Sequence, residues 1–211
     1  SHHHLLMDGW SLPLILREVL IAYEALRQGQ SPLLPPVRPY KTYIAWLQRQ
    51  DLAEAEAFWR ETLAGFTMPT PLVVPTEAWE RPKKPRYAEV ETELTAEVTT
   101  QLQELARRCQ VTLSTLVQGA WALLLHHYSD EDDVLFGTTV AGRPHEIEGV
   151  EEMVGLFINT LPLRVPIEPE ETLRAWLQSF QQRQTEMRAF EYSPLNKVQG
   201  WSDLPPEVPL F

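Results

Sequence analysis

The sequence predicts a mixed fold of α-helices and β-strands, of the α/β or α+β class. Apolar residues recur at helical spacing near both ends of the chain, over residues 12–26 and 170–190. Between these stretches lie a short, β-rich apolar run at 134–140 and a longer run at 156–167, both typical of strands. Because helical and strand patterns alternate along the chain, both kinds of element are expected to pack around shared cores.

The composition is that of a globular protein and argues against several other classes. Of the 211 residues, 44% are hydrophobic and 22% charged, which is typical of a globular chain. An excess of acidic residues gives a net charge of −11, which argues against a nucleic-acid-binding surface. The sequence contains no apolar run of about 18 residues, so no membrane span is predicted. The single cysteine, Cys109, excludes an internal disulfide and a multi-cysteine zinc site.

The individual elements follow from caps, breakers and spacing. In the first third of the chain Ser11 is predicted to cap a helix that Gly29 ends, and Asp51 to cap another that stops at Gly65. Further on, Thr95 is predicted to cap a helix, and Ser114 lies near the start of the next. The predicted helices are residues 12–26, 40–50, 51–63, 95–109, 114–127 and 170–190. Alternating glutamates also predict a strand at 90–94.

A proline-rich segment divides the chain. Residues 66–86 contain five prolines and little periodicity, which is typical of a linker. We therefore expect three parts: residues 1–70, a linker at 71–86, and residues 87–211.

Reactive side chains are concentrated at the beginning of the chain, at His3, His4 and Asp8, followed by Gly9. Histidine titrates near neutral pH and suits proton transfer, with an unperturbed pKa near 6.5. A nearby carboxylate can fix an imidazole tautomer or anchor the loop through an arginine, and a glycine lets another group approach the backbone closely. Two other interpretations stand beside this one: a loose metal site, and histidines left from a purification tag.

Motifs at four places resemble those of the condensation domains of nonribosomal peptide synthetases. Residues 3–9 match the HHxxxDG signature. Residues 40–46 resemble the Y-x-D-Y/F-x-x-W motif, except that Thr42 replaces the aspartate. Residues 154–164 resemble G-x-F-x-N-T-x-x-x-R, and residues 190–195 a weaker later motif. Because the histidines fit the register of the signature, the resemblance favours native histidines over a tag.

The resemblance implies a fold and a set of partners. It implies a chloramphenicol acetyltransferase-like, two-layer α+β sandwich, in which residues 1–70 end the first lobe and residues 87–211 form most of the second. The implied activity is amide formation between thioesters carried on phosphopantetheine, in the cytoplasm, with no cofactor bound directly. The implied partners are upstream and downstream peptidyl carrier proteins, an adjacent adenylation domain and the missing N-terminal half of the same domain.

The resemblance also implies roles for single residues. His4 acts on the acceptor amine, within a catalytic motif that includes Asp8 and Gly9. Asp8 pairs with an arginine, either in the missing half or at Arg143.

Four residues form the substrate-binding set that the resemblance implies, and several alternatives stay open. Asn159 is an amide that donates to a substrate or braces the site, His3 supports the loop, Trp10 packs beneath it, and Arg143 completes the set. The run after Asp8 is most like domains that join two L-residues. The alternatives are a non-catalytic docking remnant and a related HxxxD acyltransferase.

Overall fold

The computed structural model describes residues 3–72 and 88–211, and in these residues it has seven α-helices and two β-strands. This confirms the predicted mixed class. The elements in chain order are α1 Ser11–Arg27, α2 Lys41–Leu47, α3 Leu52–Leu63, α4 Ala96–Cys109, α5 Leu113–Ser129, β1 Asp133–Val140, β2 Asn159–Pro166, α6 Leu173–Arg188 and α7 Leu195–Trp201. None of the helices in these residues combines the length and the apolar character that crossing a bilayer requires.

Helix boundaries are set by local side chains, and of the caps described here Thr95 and Asp51 were predicted. The hydroxyls of Thr95, Thr112 and Thr172 accept hydrogen bonds from backbone N–H groups in the first turns of α4, α5 and α6. The Asp51 carboxylate accepts from the N–H of Ala53 at 2.8 Å, so the predicted cap of α3 is confirmed. These caps satisfy N–H groups that have no partner within the helix.

The two strands pair with each other in an antiparallel sheet. The N–H of Ile167, just after β2, donates to the carbonyl of Asp132, just before β1, at 2.7 Å. The end of one strand therefore lies beside the beginning of the other. Strand residues with buried side chains include Val134, Leu135 and Val165.

Several predicted elements differ from the structure. Residues 88–95 form no strand, and Val90 is 91% exposed. In the described part of the chain no strand pairs with this alternating pattern, and a strand is stabilised only through pairing. The strand predicted at 156–167 begins three residues later, at Asn159, and α7 was not predicted. Most of the linker predicted at 71–86 lies outside the described residues.

The chain forms two compact units that interleave in sequence. The first unit combines Ser1–Phe58, Thr139–Leu161 and Glu191–Val198. The second combines Trp59–Thr138, Pro162–Phe190 and Gln199–Phe211. These units do not follow the division at residues 70 and 87, and the assignment of those parts to lobes stays a prediction.

The second unit is built around the helices α4, α5 and α6 and parts of both strands. Arg164 fixes the end of α3 to this unit, because its guanidinium donates to the carbonyls of Thr62 and Ala64 at 3.0 and 2.8 Å. The same guanidinium donates to both carboxylate oxygens of Asp133, at 2.6–3.0 Å. Arg164 therefore supplies donors to one carbonyl in the last turn of α3 and one just after it, where carbonyls have no partner within the helix.

The first unit has a small core and an exposed helix. The core residues are Tyr43, Ile147, Val150, Met153 and Phe157, with Tyr40, Trp46 and Leu47 packed against them. In α1, by contrast, Ser11 is the one buried residue. Of its apolar side chains, Leu12, Leu16 and Leu20 are 43%, 52% and 62% exposed. Because a helix normally buries its apolar stripe, this face of α1 is unusual for a soluble helix.

Candidate active site

His4 lies in a tight turn at the beginning of the first unit. The N–H of Leu6 donates to the carbonyl of His3 at 2.9 Å, and the N–H of Leu5 donates to the His3 Nδ1 at 3.1 Å. The His3 side chain therefore contributes a hydrogen bond to the turn. His4 is exposed.

Asp8 anchors this turn to the core of the first unit. The residue is 2% exposed, and its Oδ2 accepts from the N–H of Phe157 at 3.1 Å. Its Oδ1 accepts from the Ser11 N–H at 3.1 Å, the Ser11 hydroxyl at 2.9 Å and the Arg143 guanidinium at 3.3 Å. The Asp8 N–H donates to the carbonyl of Gly155 at 3.1 Å. A buried carboxylate is stable only when it is paired in this way.

These contacts keep Asp8 ionised. Burial acts to raise the pKa of the Asp8 carboxyl, but the hydrogen bonds from Phe157 and Ser11 and the charge of Arg143 outweigh it, so this pKa lies below its ordinary value. Burial lowers the pKa of the Arg143 guanidinium, while Asp8 opposes that shift. Arginine stays protonated in proteins, so the pair is ionic at neutral pH.

Arg143 is held in the interior by three sets of contacts. Its Nη1 donates to the carbonyls of Val150 and Met153 at 2.5 and 3.0 Å, and its guanidinium lies 3.9 Å from the centre of the Phe157 ring. Of the two expected partners for Asp8, the structure therefore has Arg143. With 5% of its side chain exposed, Arg143 holds the loop from within the core, and its place among the substrate-binding residues stays a prediction.

The turn that carries Arg143 requires glycine at position 142. Gly142 has φ +62°, and a Cβ there would lie 1.9 Å from the carbonyl oxygen of Phe157. An L-residue would meet both backbone strain and a direct clash. The turn at Gly142 therefore brings the next residue, Arg143, to the position from which its guanidinium enters the core.

Ser11 does not cap α1, contrary to the prediction. The helix begins at Ser11 itself, with Trp10 before it. The Ser11 hydroxyl points into the core, where it contacts Asp8 and both backbone groups of Gly155, at 2.9–3.1 Å. Sequence rules favour the capping role because serine is a strong N-cap, and only long-range contacts show the other role.

Gly9 and Trp10 line the exposed side of the loop. A Cβ at Gly9 would meet nothing within 4 Å, so a group can approach the backbone there. The Trp10 indole N–H donates to the carbonyl of Glu151 at 3.2 Å, and its ring lies 5.6 Å from the Arg143 guanidinium. Trp10 therefore packs over the anchored arginine while 54% of the residue stays exposed.

Asn159 begins β2 and braces a neighbouring segment. Its amide nitrogen donates to the carbonyls of Glu191 and Ser193 at 2.9 and 2.7 Å, and its carbonyl oxygen accepts from the N–H of Thr160. Both amide hydrogens are therefore used within the protein. Of the two roles expected for Asn159, this geometry favours the brace over donation to a substrate.

Tyr40 and Gly155 were not predicted as site residues. The Tyr40 hydroxyl donates to the carbonyl of Leu156 at 2.5 Å, and a Cβ at Gly155 would lie 2.1 Å from the Tyr40 ring. The Tyr43 ring stacks on Trp46 and packs on Phe157, and burial raises the pKa of Tyr43 to about 12. The aromatic motif at 40–46 is thus a packing surface under the segment that holds Asp8. Thr42 lies outside this surface and is exposed.

Comparison with known proteins identifies the family of this chain. The family model of the condensation domain matches residues 1–211. The chain belongs to the condensation domain family. This confirms the family that the motifs predicted.

The chain matches only a part of the length of its individual relatives. The chain is 51% identical over 211 residues to one of the linear gramicidin synthase proteins of Brevibacillus parabrevis, covering 99% of this chain and 4% of that protein. Among solved structures it resembles the first condensation domain of the calcium-dependent antibiotic synthetase in complex with a substrate analogue. The TM-score there is 0.73 at 20% identity, over 94% of this chain and 46% of that one. It also resembles the complex of the X-domain and OxyB from teicoplanin biosynthesis, with a TM-score of 0.77 at 28% identity, over 96% and 46% of the two chains.

This condensation-domain site consists of a loop anchored through Asp8, with an exposed imidazole at His4. Its one buried carboxylate is fully engaged in holding the loop. In residues 3–72 and 88–211, no three His, Cys, Asp or Glu side chains lie close enough together to hold a metal ion. The site thus combines an exposed histidine at His4 with an open stretch of backbone at Gly9.

Proposed function

We propose that this chain carries the amide-forming part of a condensation domain, with His4 as the residue that acts on the acceptor amine. The observation that supports this most is that the two residues have different environments. Asp8 is buried and paired with Arg143, whereas His4 is exposed. An exposed histidine in an anchored loop suits general acid–base or hydrogen-bonding catalysis.

The proposed reaction joins two thioester-bound residues. The acceptor's amine nitrogen attacks the carbonyl carbon of the donor thioester, a C–N bond forms and the C–S bond breaks. The nitrogen loses one proton, the donor thiolate gains one, and the products are an amide and a free thiol. An α-amino group has a pKa of about 7.7–8.0, so a sizeable fraction is already neutral at pH 7. We infer that His4 orients this amine and accepts its proton after attack, when the nitrogen is strongly acidic.

The substrates proposed for this site arrive on carrier proteins. Phosphopantetheine arms of an upstream and a downstream peptidyl carrier protein would present donor and acceptor, and an adjacent adenylation domain would select the acceptor residue. The Gly-Trp-Ser run after Asp8 supports a domain that joins two L-residues. We propose that this reaction takes place in the cytoplasm.

The exposed face of α1 supports a further part to this domain. We propose that Leu12, Leu16, Leu20 and their neighbours are covered by the remainder of the condensation domain, since solved domains of this fold are about twice as long as this chain. Burying apolar area stabilises by about 25 cal/mol per Å². We call residues 1–211 joined to that remainder the complete domain.

Hydrogen exchange tests this coverage. In a demonstrated monomer of residues 1–211, the α1 amides are expected to exchange quickly and to become protected in the complete domain, because packing supplies most helix stability. The amides of α5, which packs on α6 within the second unit, provide the matched control. Strong α1 protection in the isolated monomer would contradict the proposal.

A second candidate function is docking without catalysis. The relative solved in a complex with OxyB shows that a protein of this fold can bind another protein. In this chain, however, the whole signature from His3 to Gly9 is present and its loop is held in place.

An assay of single-turnover amide formation separates the two functions. The complete domain is mixed with an acceptor aminoacyl carrier protein and a donor carrier protein, and the product is detected by mass spectrometry. Amide product that requires both carriers supports catalysis, and residues 1–211 alone are expected to give none. Binding of both carriers with no product from the folded complete domain would favour docking.

A further inference from the structure

We infer that Ser11 is a positioning residue for the reaction, whose buried hydroxyl sets the place of the His4 turn by joining Asp8 to the backbone of Gly155. The inference rests on the proposed function, because it assigns Ser11 an effect on amide formation through His4.

The geometry of the hydroxyl is specific. Ser11 is 0% exposed, and its Oγ lies 2.9 Å from the Asp8 Oδ1 and 3.0 Å from the Gly155 carbonyl oxygen. The same oxygen accepts from the Gly155 N–H at 3.1 Å. A hydroxyl carries one hydrogen, and a carboxylate accepts more strongly than a carbonyl, so donation goes chiefly to Asp8. The Ser11 oxygen thus bonds to the carboxylate with its hydrogen and to Gly155 with its lone pair.

This hydroxyl differs in role from the Arg143 guanidinium. The guanidinium neutralises Asp8 and ties it to the carbonyls of Val150 and Met153. The hydroxyl instead fixes the position of Asp8 relative to Gly155, whose carbonyl accepts the Asp8 N–H at 3.1 Å. His4 lies only four residues before Asp8 in the sequence, so the position of Asp8 limits where the His4 turn can lie. Removing the hydroxyl leaves the ion pair in place but takes away the acceptor that the Gly155 N–H has in this structure.

The expected consequence is a displaced imidazole on a folded domain. A misplacement of about 1 Å can lower a catalysed rate by about a hundredfold. We therefore expect Ser11→Ala in the complete domain to lower the single-turnover rate by about tenfold to a hundredfold. The KM for each carrier-bound substrate is expected to stay unchanged, because His4 acts on the reacting nitrogen and not on carrier binding.

A double-mutant cycle with His4→Ala distinguishes positioning from a merely structural role. If Ser11 acts through His4, Ser11→Ala in the His4→Ala background is expected to lower the residual rate by less than about twofold, because coupled residues are not additive. Equal fold losses in both backgrounds, or disappearance of the residual product, would overturn the inference. So would an unchanged rate for the single variant.

Thr115→Val is the matched control for stability. Thr115 is 1% exposed in the second unit and its hydroxyl bonds to Gln184 at 2.9 Å, so this change also removes a buried hydroxyl. Rates are corrected for the folded fraction measured by circular dichroism. A corrected rate for Thr115→Val that falls as far as that for Ser11→Ala would show a general effect of destabilisation and overturn the inference. Failure of the wild-type complete domain to form amide would instead contradict the proposed function.

Discussion

An aspartate–arginine pair lies in each of the two compact units, and the two pairs differ in what surrounds them. Asp8 and Arg143 have side chains 1% and 5% exposed, with a closest separation of 3.3 Å. Asp133 and Arg164 approach to 2.6 Å, but their side chains are 39% and 22% exposed. The shorter ion pair is therefore the better solvated one. Burial and the remaining hydrogen bonds, more than the separation of the charges, decide how much the protein depends on each pair.

The partners of each pair also differ in what they hold. In the first unit the Asp8 carboxylate fixes a loop that carries exposed His4, through contacts to Ser11 and Phe157. In the second unit Arg164 fixes the last turn of α3, through the carbonyls of Thr62 and Ala64. Under the proposed function, the first pair is expected to affect turnover as well as stability, and the second to affect stability alone.

Asp8→Ala in the complete domain is expected to have the largest effect on stability. Removing one partner of a buried pair leaves Arg143 as an uncompensated buried charge, which costs about 3–5 kcal/mol. Urea unfolding followed by circular dichroism measures this change. An unchanged free energy of unfolding together with lost activity would contradict the anchoring role and make Asp8 catalytic.

Low pH is expected to remove part of the stabilisation that the ionised Asp8 carboxylate provides. The pKa of Asp8 is lowered in the folded state, so its contribution is present above the ordinary value of 3.8 and is lost as the pH falls through the folded pKa. Unfolding free energies of wild type and Asp8→Asn, measured from about pH 6 to about pH 2, are expected to converge toward the acid end. A constant difference across this range would show that the ionised form of Asp8 is not what stabilises the fold.

Asp133→Ala is expected to have the smallest effect. Solvent screens this pair, and the Arg164 guanidinium keeps two backbone carbonyl partners, so a loss of about 1 kcal/mol is expected. The corrected single-turnover rate is expected to equal that of the wild type. A loss of stability as large as that of Asp8→Ala would remove the distinction between the two pairs.

Local sequence signals predicted most helix boundaries. Thr95 and Asp51 are caps whose hydrogen bonds reach only two or three residues along the chain, so sequence suffices to predict them. The strand predicted at 90–94 failed because a strand depends on a partner elsewhere in the chain. The same reason explains why β2 begins at Asn159 and not at residue 156.

The long-range parts of the site could be predicted only in part. Sequence left two possible partners for Asp8, and the 135-residue separation of Asp8 from Arg143 is closed only in the folded chain. Ser11 was predicted to be a cap because local rules favour it, whereas its hydroxyl bonds to Gly155, 144 residues away. For Asn159 the choice between bracing and substrate binding depends on the carbonyls of residues 191 and 193, which no sequence pattern indicates.

The central claim is that the buried Asp8 pair holds the loop while exposed His4 performs the chemistry. Single-turnover amide formation by His4→Ala, in the complete domain and at saturating concentrations of both carrier-bound substrates, tests it most directly. The rate is expected to fall by about 10²–10⁴-fold, as for loss of a general acid–base residue, while the melting temperature stays that of the wild type. An unchanged rate in the folded variant would contradict the account.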